Sequence, residues 1–203
     1  MSVNEHLERL IKDEVQESID VKAALLNDAE LVDTIKQVIT LSVETFRQGG
    51  KILVAGNGGS AADAQHIAAE FVSRFYFDRQ ALPAIALTTD TSALTAIGND
   101  YGFERLFSRQ VEALGKAGDL FIAISTSGNS DNILNGLRSA QRLGIKTLAL
   151  TSTRDQKMVE VSDLRIAVPS PSTPRIQEAH VLIGHIICGA VESLMFSRNH
   201  EPS

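Results

Sequence analysis

Short apolar runs alternate along most of the chain with longer stretches of helical periodicity. Five of these runs are bounded by glycine, proline or polar residues, which is typical of buried parallel strands. The predicted strands are Lys51–Ala55, Pro83–Leu87, Leu120–Ile124, Lys146–Leu150 and Leu164–Val168. Helical segments separate the strands, so the pattern predicts an α/β fold. We expect a doubly wound, five-stranded parallel sheet with helices on both faces.

The first part of the chain, residues 1–48, carries no strand signal. Its apolar positions, such as Leu7, Ile11 and Val15, recur at helical spacing. We predict an N-terminal helical arm over residues 1–48, followed by a second unit over residues 49–203. The spacing alone leaves two roles open for the arm, which could pack on the sheet of its own domain or against a partner subunit.

A glycine-rich segment, Gly56-Asn-Gly-Gly-Ser60, follows the first strand. Glycine permits positive φ and close backbone approach, and we expect Ser60 to cap the next helix, so several N–H groups should face one small volume that fits an anion. His66 and Glu70 are four residues apart on that helix and share a face. The sequence therefore predicts an acid–base or metal-binding pair beside an anion site, although a solvated helix contact gives the same spacing.

The same segment matches a loose dinucleotide-binding fingerprint, Gly56-x-Gly58-x-x-Ala61. That fingerprint requires an acidic residue about 20 positions further on, at the end of the second strand. Asp78 precedes that strand and Asp90 lies too far along. A nicotinamide cofactor is therefore disfavoured.

A second polar segment, Ser125-Thr-Ser-Gly-Asn-Ser130, follows the third strand and precedes a helix predicted over Asp131–Leu143. Its hydroxyls, its N–H groups and the helix N-terminus could bind one phosphate without lysine or arginine. Simple capping chemistry is the alternative for one such loop. Two loops of this kind at the carboxyl ends of strands favour a ligand site, because open α/β sheets bind ligands there.

Two later segments complete the predicted elements. The composition of Gly98-Asn-Asp-Tyr-Gly102 predicts a turn. The last helix is predicted over Arg175–Phe196, with Thr173 as its N-cap and with apolar residues on nearly every face, so we expect it to be buried. Gln177 and His185 lie near one face of this helix but about 12 Å apart along its axis.

Composition narrows the function class. A net charge of −6 and a pI near 5.4 argue against nucleic acid as a partner. The charged N-terminus does not fit a signal peptide, and we expect the last helix to be too polar to span a bilayer. The single cysteine, Cys188, lies in an apolar run and is expected to pack in the core of a cytoplasmic protein.

Several of these motifs together resemble one known family. Besides the two loops, they are Asp63-Ala-Gln-His66 with Glu70, Gly98-Asn-Asp100, and Arg175-Ile-Gln-Glu-x-His180 with His185. They resemble the sedoheptulose-7-phosphate isomerases, or phosphoheptose isomerases, of the sugar isomerase (SIS) domain family. The resemblance runs from the N-terminal helices to the last helix. The segment Ser152–Gln156 departs from it, because relatives often carry a glycine pair there.

The resemblance implies an aldose–ketose isomerase that converts sedoheptulose 7-phosphate to D-glycero-D-manno-heptose 7-phosphate, the first step toward the heptose of lipopolysaccharide core or capsule. It implies Glu70 and His185 as the catalytic acid–base pair. The substrate-binding residues that it implies are Asn57, Gly58, Gly59, Glu70, Asn99, Asp100, Ser125, Thr126, Ser127, Ser130 and Gln177. It also implies a homotetramer with sites shared between subunits, and a zinc ion held by His66, Glu70, Gln177 and His185.

Two other functions share the expected fold. A non-catalytic SIS protein that binds the replication initiator resembles an isomerase without its reactive residues, and the presence of Glu70 and His185 argues against it. A sugar-phosphate-sensing regulator would need a DNA-binding module. The N-terminal arm has neither the basic charge nor the length for one.

Overall fold

Five parallel strands form a single sheet in the order β2-β1-β3-β4-β5 in the computed structural model, which describes residues 2–154 and 157–196. The strands are β1 (Ile52–Gly56), β2 (Ala84–Ala86), β3 (Leu120–Ile124), β4 (Lys146–Ser152) and β5 (Leu164–Val168). Every neighbouring pair is parallel. The predicted five-stranded parallel sheet is confirmed.

Seven α-helices connect and cover the strands within the described residues. They are α1 (Val3–Asn27), α2 (Ala29–Arg47), α3 (Gly59–Val72), α4 (Thr91–Tyr101), α5 (Leu106–Leu114), α6 (Asp131–Arg142) and α7 (Thr173–Phe196), with a 3-10 helix at Phe103–Arg105 before α5. The ranges 155–156 and 197–203 fall within the predicted second unit but lie outside the described residues. The departure at Ser152–Gln156 therefore falls partly outside them as well.

Side chains point alternately to the two faces of the sheet, which divides the core into two layers. Ile52 and Val54 point into a cluster formed with α2, α3 and α7, whereas Leu53 and Ala55 point into a cluster formed with α5 and α6. Successive side chains of a strand face opposite sides, so one short apolar run supplies both layers. The sheet is thus doubly wound, as expected.

The predicted turn at Gly98–Gly102 is wrong, because residues 98–101 form the last turn of α4. Asp90 begins this helix, and its carboxylate accepts a hydrogen bond from the N–H of Ala93 at 2.9 Å. Leu94 and Ile97 pack against the core and stabilise the helix despite Gly98. The chain turns only at Gly102, where φ is 90°.

Both predicted helix caps are also wrong by a residue or two. Gly58 takes the N-cap position of α3, while Ser60 is buried in the first turn and donates its backbone N–H to the Asn57 carbonyl at 3.0 Å. Thr173 is the first residue of α7. The carbonyl of Ser172 accepts the Ile176 N–H at 3.0 Å, so Ser172 occupies the N-cap position instead.

The two N-terminal helices differ in what they cover. In α2, Leu31, Ile35 and Val38 are buried, and the helix packs against α7 and β5 of its own chain. In α1, only Val21 and Leu25 are buried, and its earlier apolar positions are exposed. The helical nature of the arm is confirmed, while its separation from residues 49–203 as a unit stays a prediction.

The final helix, α7, packs between α2 and α3 on one face of the sheet. By length and composition it is apolar enough to cross a membrane, which corrects the expectation that it is too polar. Half of its most apolar window is buried inside the chain. The expectation of burial on every face is also wrong, since Leu182, Ile186 and Leu194 are exposed. Cys188 is buried as expected, and burial raises the pKa of its thiol to about 12.

Candidate active site

The glycine loop after β1 leaves the start of α3 open. Gly58 has a φ of 57°, and no side chain caps the helix. A Cβ at Gly59 would collide with the side-chain amide of Gln177, so the glycine leaves room for this amide to lie against the start of α3. Free N–H groups at a helix N-terminus attract anions. The predicted anion-binding character of this loop therefore has a structural basis.

The hydroxyl-rich loop after β3 is built in the same way. Ser125 is buried, and its hydroxyl accepts the Gly128 N–H at 3.2 Å and lies 3.4 Å from the Ser130 hydroxyl. Ser130 is the N-cap residue of α6, yet its side chain makes no capping hydrogen bond. The Ser127 hydroxyl is exposed, and the Thr126 carbonyl accepts from Ser152 at 2.8 Å. The Ser130 hydroxyl and the start of α6 remain available to a ligand.

A pair of amides joins the two loops. Asn57 and Asn132 exchange two side-chain hydrogen bonds, each of 2.9 Å, and Asn132 is buried. A cleft of about 420 Å³ opens over this pair; its lining residues are Asn57, Phe103, Glu104, Ser130, Asp131 and Asn132. Asn132 was not among the predicted site residues, because an asparagine in the first turn of a helix is an ordinary surface residue unless its partner is known.

The reactive side chains meet between α3 and α7. His66 Nε2 lies 3.1 Å from Glu70 Oε1 and 2.9 Å from His185 Nε2. The ligand atoms of these three residues all lie within 4.8 Å of one another. The Glu70 side chain is 26% exposed, so a small molecule can reach it from solvent.

Comparison with known proteins identifies the family. The SIS domain profile matches residues 19–152. A phosphoheptose isomerase from Aneurinibacillus thermoaerophilus is 60% identical over 186 residues, which cover 92% of this chain and 94% of that protein. The chain belongs to the phosphoheptose isomerase family. It is therefore an aldose–ketose isomerase.

Solved structures agree with this assignment. A phosphoheptose isomerase from Neisseria gonorrhoeae has a TM-score of 0.86 and 44% identity, covering 92% of this chain and 99% of that one. One from Francisella tularensis has a TM-score of 0.88 and 37% identity, covering 95% of this chain and all of that one. The phosphoheptose isomerase fold thus extends over nearly the whole chain, including the N-terminal helices.

The cluster of His66, Glu70 and His185 fits a zinc ion. Two imidazoles and one carboxylate are a donor set of catalytic zinc sites in proteins, which leave the remaining positions for water or substrate. Tetrahedral zinc with bonds of about 2.0 to 2.2 Å places its ligand atoms roughly 3.3 to 3.6 Å apart. The distances of 2.9 and 3.1 Å need only a small opening to reach that range.

Gln177 lies apart from this cluster in the chain. Its amide lies against Gly59, near the start of α3, whereas His185 is eight residues further along α7. Eight residues correspond to about 12 Å of a continuous helix. The side chain is therefore placed toward the glycine-rich loop after β1, and its expected role as a fourth zinc ligand stays a prediction.

Asn99 and Asp100 lie outside the cleft. Both are exposed in the last turn of α4, where the Asn99 amide donates to the Asp100 carboxylate at 2.7 Å. No side chain of α4 is buried in the chain described here. Within a single chain these two residues do not contact the candidate site, and their expected contact with the sugar stays a prediction.

Two further titratable groups lie in the layer beneath the site. Burial raises the pKa of Asp63, although the nearby His66 charge opposes the shift, and one carboxylate oxygen has no hydrogen-bond partner. Burial lowers the pKa of His180 to about 4. The Nε2 of His180 lies 2.9 Å from the Thr151 carbonyl, which can only accept, so Nε2 carries the proton of the neutral ring and donates it to this bond.

Proposed function

We propose that the chain converts sedoheptulose 7-phosphate to D-glycero-D-manno-heptose 7-phosphate through an enediol. The observation that carries this proposal is the convergence of a carboxylate and two imidazoles at Glu70, His66 and His185, two of them on the helix α3 that begins at the glycine-rich loop. Proton removal next to a carbonyl needs a base and an acid held within reach of adjacent carbons.

The loops would hold the phosphate. The hydroxyls of Ser125 and Ser130, with the uncapped starts of α3 and α6, supply donors without a positively charged side chain. The distance from Gly59 to His66 along α3 is about 10 Å. An open-chain seven-carbon sugar phosphate can bridge that distance, which would bring its carbonyl end to the reactive cluster.

Glu70 and His185 would divide the proton transfers. Glu70 removes the proton from C1 of the ketose, and His185 protonates the carbonyl oxygen at C2, which gives the enediol. A proton then returns to C2 while the hydroxyl at C1 loses its proton, which gives the aldose. Each of these roles is worth roughly 10² to 10⁴-fold in rate.

His66, Glu70 and His185 would hold zinc, with Gln177 as the predicted fourth ligand. Zinc supplies charge stabilisation at an oxygen of the substrate when it is bound. An amide is an uncommon zinc ligand, so we expect a weak site with partial occupancy.

We further propose a homotetramer with active sites shared between subunits. Three surfaces support it: the exposed apolar positions of α1, the exposed Leu182 and Ile186 of α7, and the lack of buried side chains in α4, which carries Asn99 and Asp100. Apolar stripes of this kind are usually covered in an oligomer. Enzymes that act on sugar phosphates meet their substrates in the cytoplasm, where we place this one.

The two alternative functions are less well supported. Glu70 and His185 are both present and meet His66, whereas a non-catalytic SIS protein needs no such cluster. The described N-terminal region consists of two helices, of which α2 covers the sheet, so no separate DNA-binding module is seen there.

The test is an assay of purified, zinc-loaded protein with sedoheptulose 7-phosphate. Formation of the heptose 7-phosphate, followed by chromatography, is the expected result, and fructose 6-phosphate serves as a shorter control substrate. Absence of conversion by folded protein would contradict the proposal.

A further inference from the structure

A buried ion pair, Arg79 with Glu192, lies behind the reactive cluster. Arg79 Nε donates to Glu192 Oε1 at 3.0 Å, and the two side chains are 2% and 0% exposed. Neither residue belongs to the glycine-rich loop after β1, to the hydroxyl-rich loop after β3 or to the candidate acid–base pair. A buried ion pair is a costly arrangement unless hydrogen bonds satisfy both groups, so its contacts show what it holds in place.

The guanidinium group of Arg79 fixes the end of α3. It donates to the carbonyls of Glu70 at 2.8 Å, Phe71 at 2.7 Å, Ser73 at 2.9 Å and Gln80 at 3.1 Å. The last carbonyls of a helix have no partner within the helix, and a positive charge is favourable there. The turn that carries the Glu70 carboxylate is therefore held by Arg79 through the backbone.

The Glu192 carboxylate holds the segment that follows α3. It accepts the backbone N–H groups of Phe75 at 2.8 Å and Tyr76 at 2.6 Å, in addition to the guanidinium of Arg79. This places the Phe75 ring against the His185 imidazole, with centroids 5.5 Å apart and an interplanar angle of 42°. One carboxylate on α7 thus connects α3 to a ring that packs on His185.

The aromatic rings of this segment lie close to α7 at Gly189, where a side chain has little room. A Cβ at Gly189, one turn after His185, would lie 2.7 Å from the Tyr76 ring and 3.2 Å from the Phe75 ring. Contacts under 3.0 Å require something to move. Alanine at position 189 would therefore move the exposed Tyr76 ring and push the Phe75 ring away from α7.

We propose that Arg79, Glu192 and Phe75 are positioning residues of the isomerase site. Arg79 sets the end of α3 that carries Glu70, and Glu192 sets the Phe75 ring that limits where the His185 imidazole can lie. The inference rests on the proposed function. Displacement of a reacting group by about 1 Å through a remote change can cost roughly 10²-fold in rate, so such residues affect turnover without touching the substrate.

A second buried carboxylate provides a matched control. Asp119 also accepts two backbone N–H groups, those of Lys51 and Lys116 at 2.9 Å each, and it pairs with the Lys51 ammonium at 2.6 Å. It precedes β3, at the opposite end of the strands from the candidate site. Glu192→Gln and Asp119→Asn thus each replace one buried carboxylate by an amide, at two different places in the fold.

The experiment compares kcat, KM and the free energy of unfolding for wild type, Glu192→Gln and Asp119→Asn. Both variants should be less stable than wild type. We expect only Glu192→Gln to lower kcat, by about 10- to 100-fold with a smaller change in KM. Phe75→Leu should lower kcat as well, and the double variant Glu192→Gln, Phe75→Leu should fall short of the product of the two effects, because both act on His185. Equal loss of kcat in Glu192→Gln and Asp119→Asn would show that the ion pair has a purely structural role, and it would overturn the inference.

The proton resonances of His185 can be measured without substrate, so they test this inference independently of the proposed function. The ring of Phe75 shifts the proton resonances of the His185 imidazole, which can be assigned by comparison with His185→Asn. Glu192→Gln should move these resonances and Asp119→Asn should not, whether or not the wild type converts sedoheptulose 7-phosphate. Unmoved resonances in Glu192→Gln would refute the inference. If Glu192→Gln does not fold, Gly189→Ala displaces the same rings while it keeps the ion pair, and it carries the same expectations.

Discussion

The Nε2 atoms of His66 and His185 lie 2.9 Å apart, and His66 Nε2 is also 3.1 Å from a carboxylate oxygen of Glu70. A single proton on His66 Nε2 cannot satisfy both neighbours well, because the Glu70 oxygen and the His185 nitrogen both offer lone pairs to the same small volume. A shared cation would satisfy all three atoms.

Zinc binding should depend on this cluster. We expect up to one zinc per chain, measured by elemental mass spectrometry after dialysis, and loss of most of it in His66→Gln. Affinity should fall as the solution is acidified, because metal ligands must be deprotonated to bind the ion. The variant Gln177→Ala tests whether Gln177 is the fourth zinc ligand. Unchanged zinc content in His66→Gln would rule out the proposed site.

The glycine-rich loop after β1 and the hydroxyl-rich loop after β3 should bind the phosphate. Ser125→Ala combined with Ser130→Ala removes two hydroxyls that lie 3.4 Å apart. We expect KM to rise about 100-fold or more, since hydrogen bonds to a charged group are worth about 1.5 to 3 kcal/mol each and two are removed. Ser162→Ala is the control, because that hydroxyl donates to the Met158 carbonyl away from the loops. Wild-type affinity in the double variant would show that the phosphate binds elsewhere.

Stability should decrease in mild acid because of His180. Its pKa is lowered to about 4 in the folded chain, against an ordinary value of 6.5. The stabilisation from neutral His180 is complete above about pH 6.5 and is lost as the pH falls from there toward 4, at no more than about 1.4 kcal/mol per pH unit. Urea unfolding at pH 7.5 and pH 5.0 should show a smaller difference for His180→Gln than for wild type. The exposed His6→Gln is the control, and an equally steep dependence in His180→Gln would contradict the prediction.

The sequence predicted the sheet well and the site only in part. All five strands were found within two residues of their ends, because buried parallel strands are short apolar runs whose alternate residues enter two core layers. The turn predicted at residues 98–102 failed, since Asp90 and the packing of Leu94 and Ile97 stabilise a helix there.

Long-range pairings within the site could not be predicted from local patterns. Residues His66 and His185 are 119 positions apart, and their contact depends on the close packing of α3 on α7. A Cβ at Gly184 would lie 3.0 Å from the Ile67 side chain, so this approach depends on one glycine that has no local signature. The amide pair of Asn57 and Asn132 joins two loops that are separate in the sequence.

Sharing of the site between subunits should allow complementation. Glu70→Gln and Asp100→Ala are each expected to be inactive or nearly so. After separate purification and subunit exchange, mixed oligomers should regain part of the activity, because some sites combine an intact Glu70 with an intact Asp100 from another chain. Parental activity despite exchange confirmed by mass spectrometry would place the whole site within one chain.

The most direct test of the central claim is the turnover of sedoheptulose 7-phosphate by Glu70→Gln in deuterated water. Wild type should form the aldose with deuterium at C2, because the proton that leaves C1 passes through a base that exchanges with solvent. Glu70→Gln keeps the shape of the side chain and removes the base, so it should fold normally and lose roughly 10² to 10⁴-fold in kcat. Near-normal turnover by folded Glu70→Gln would contradict the proposed role of Glu70.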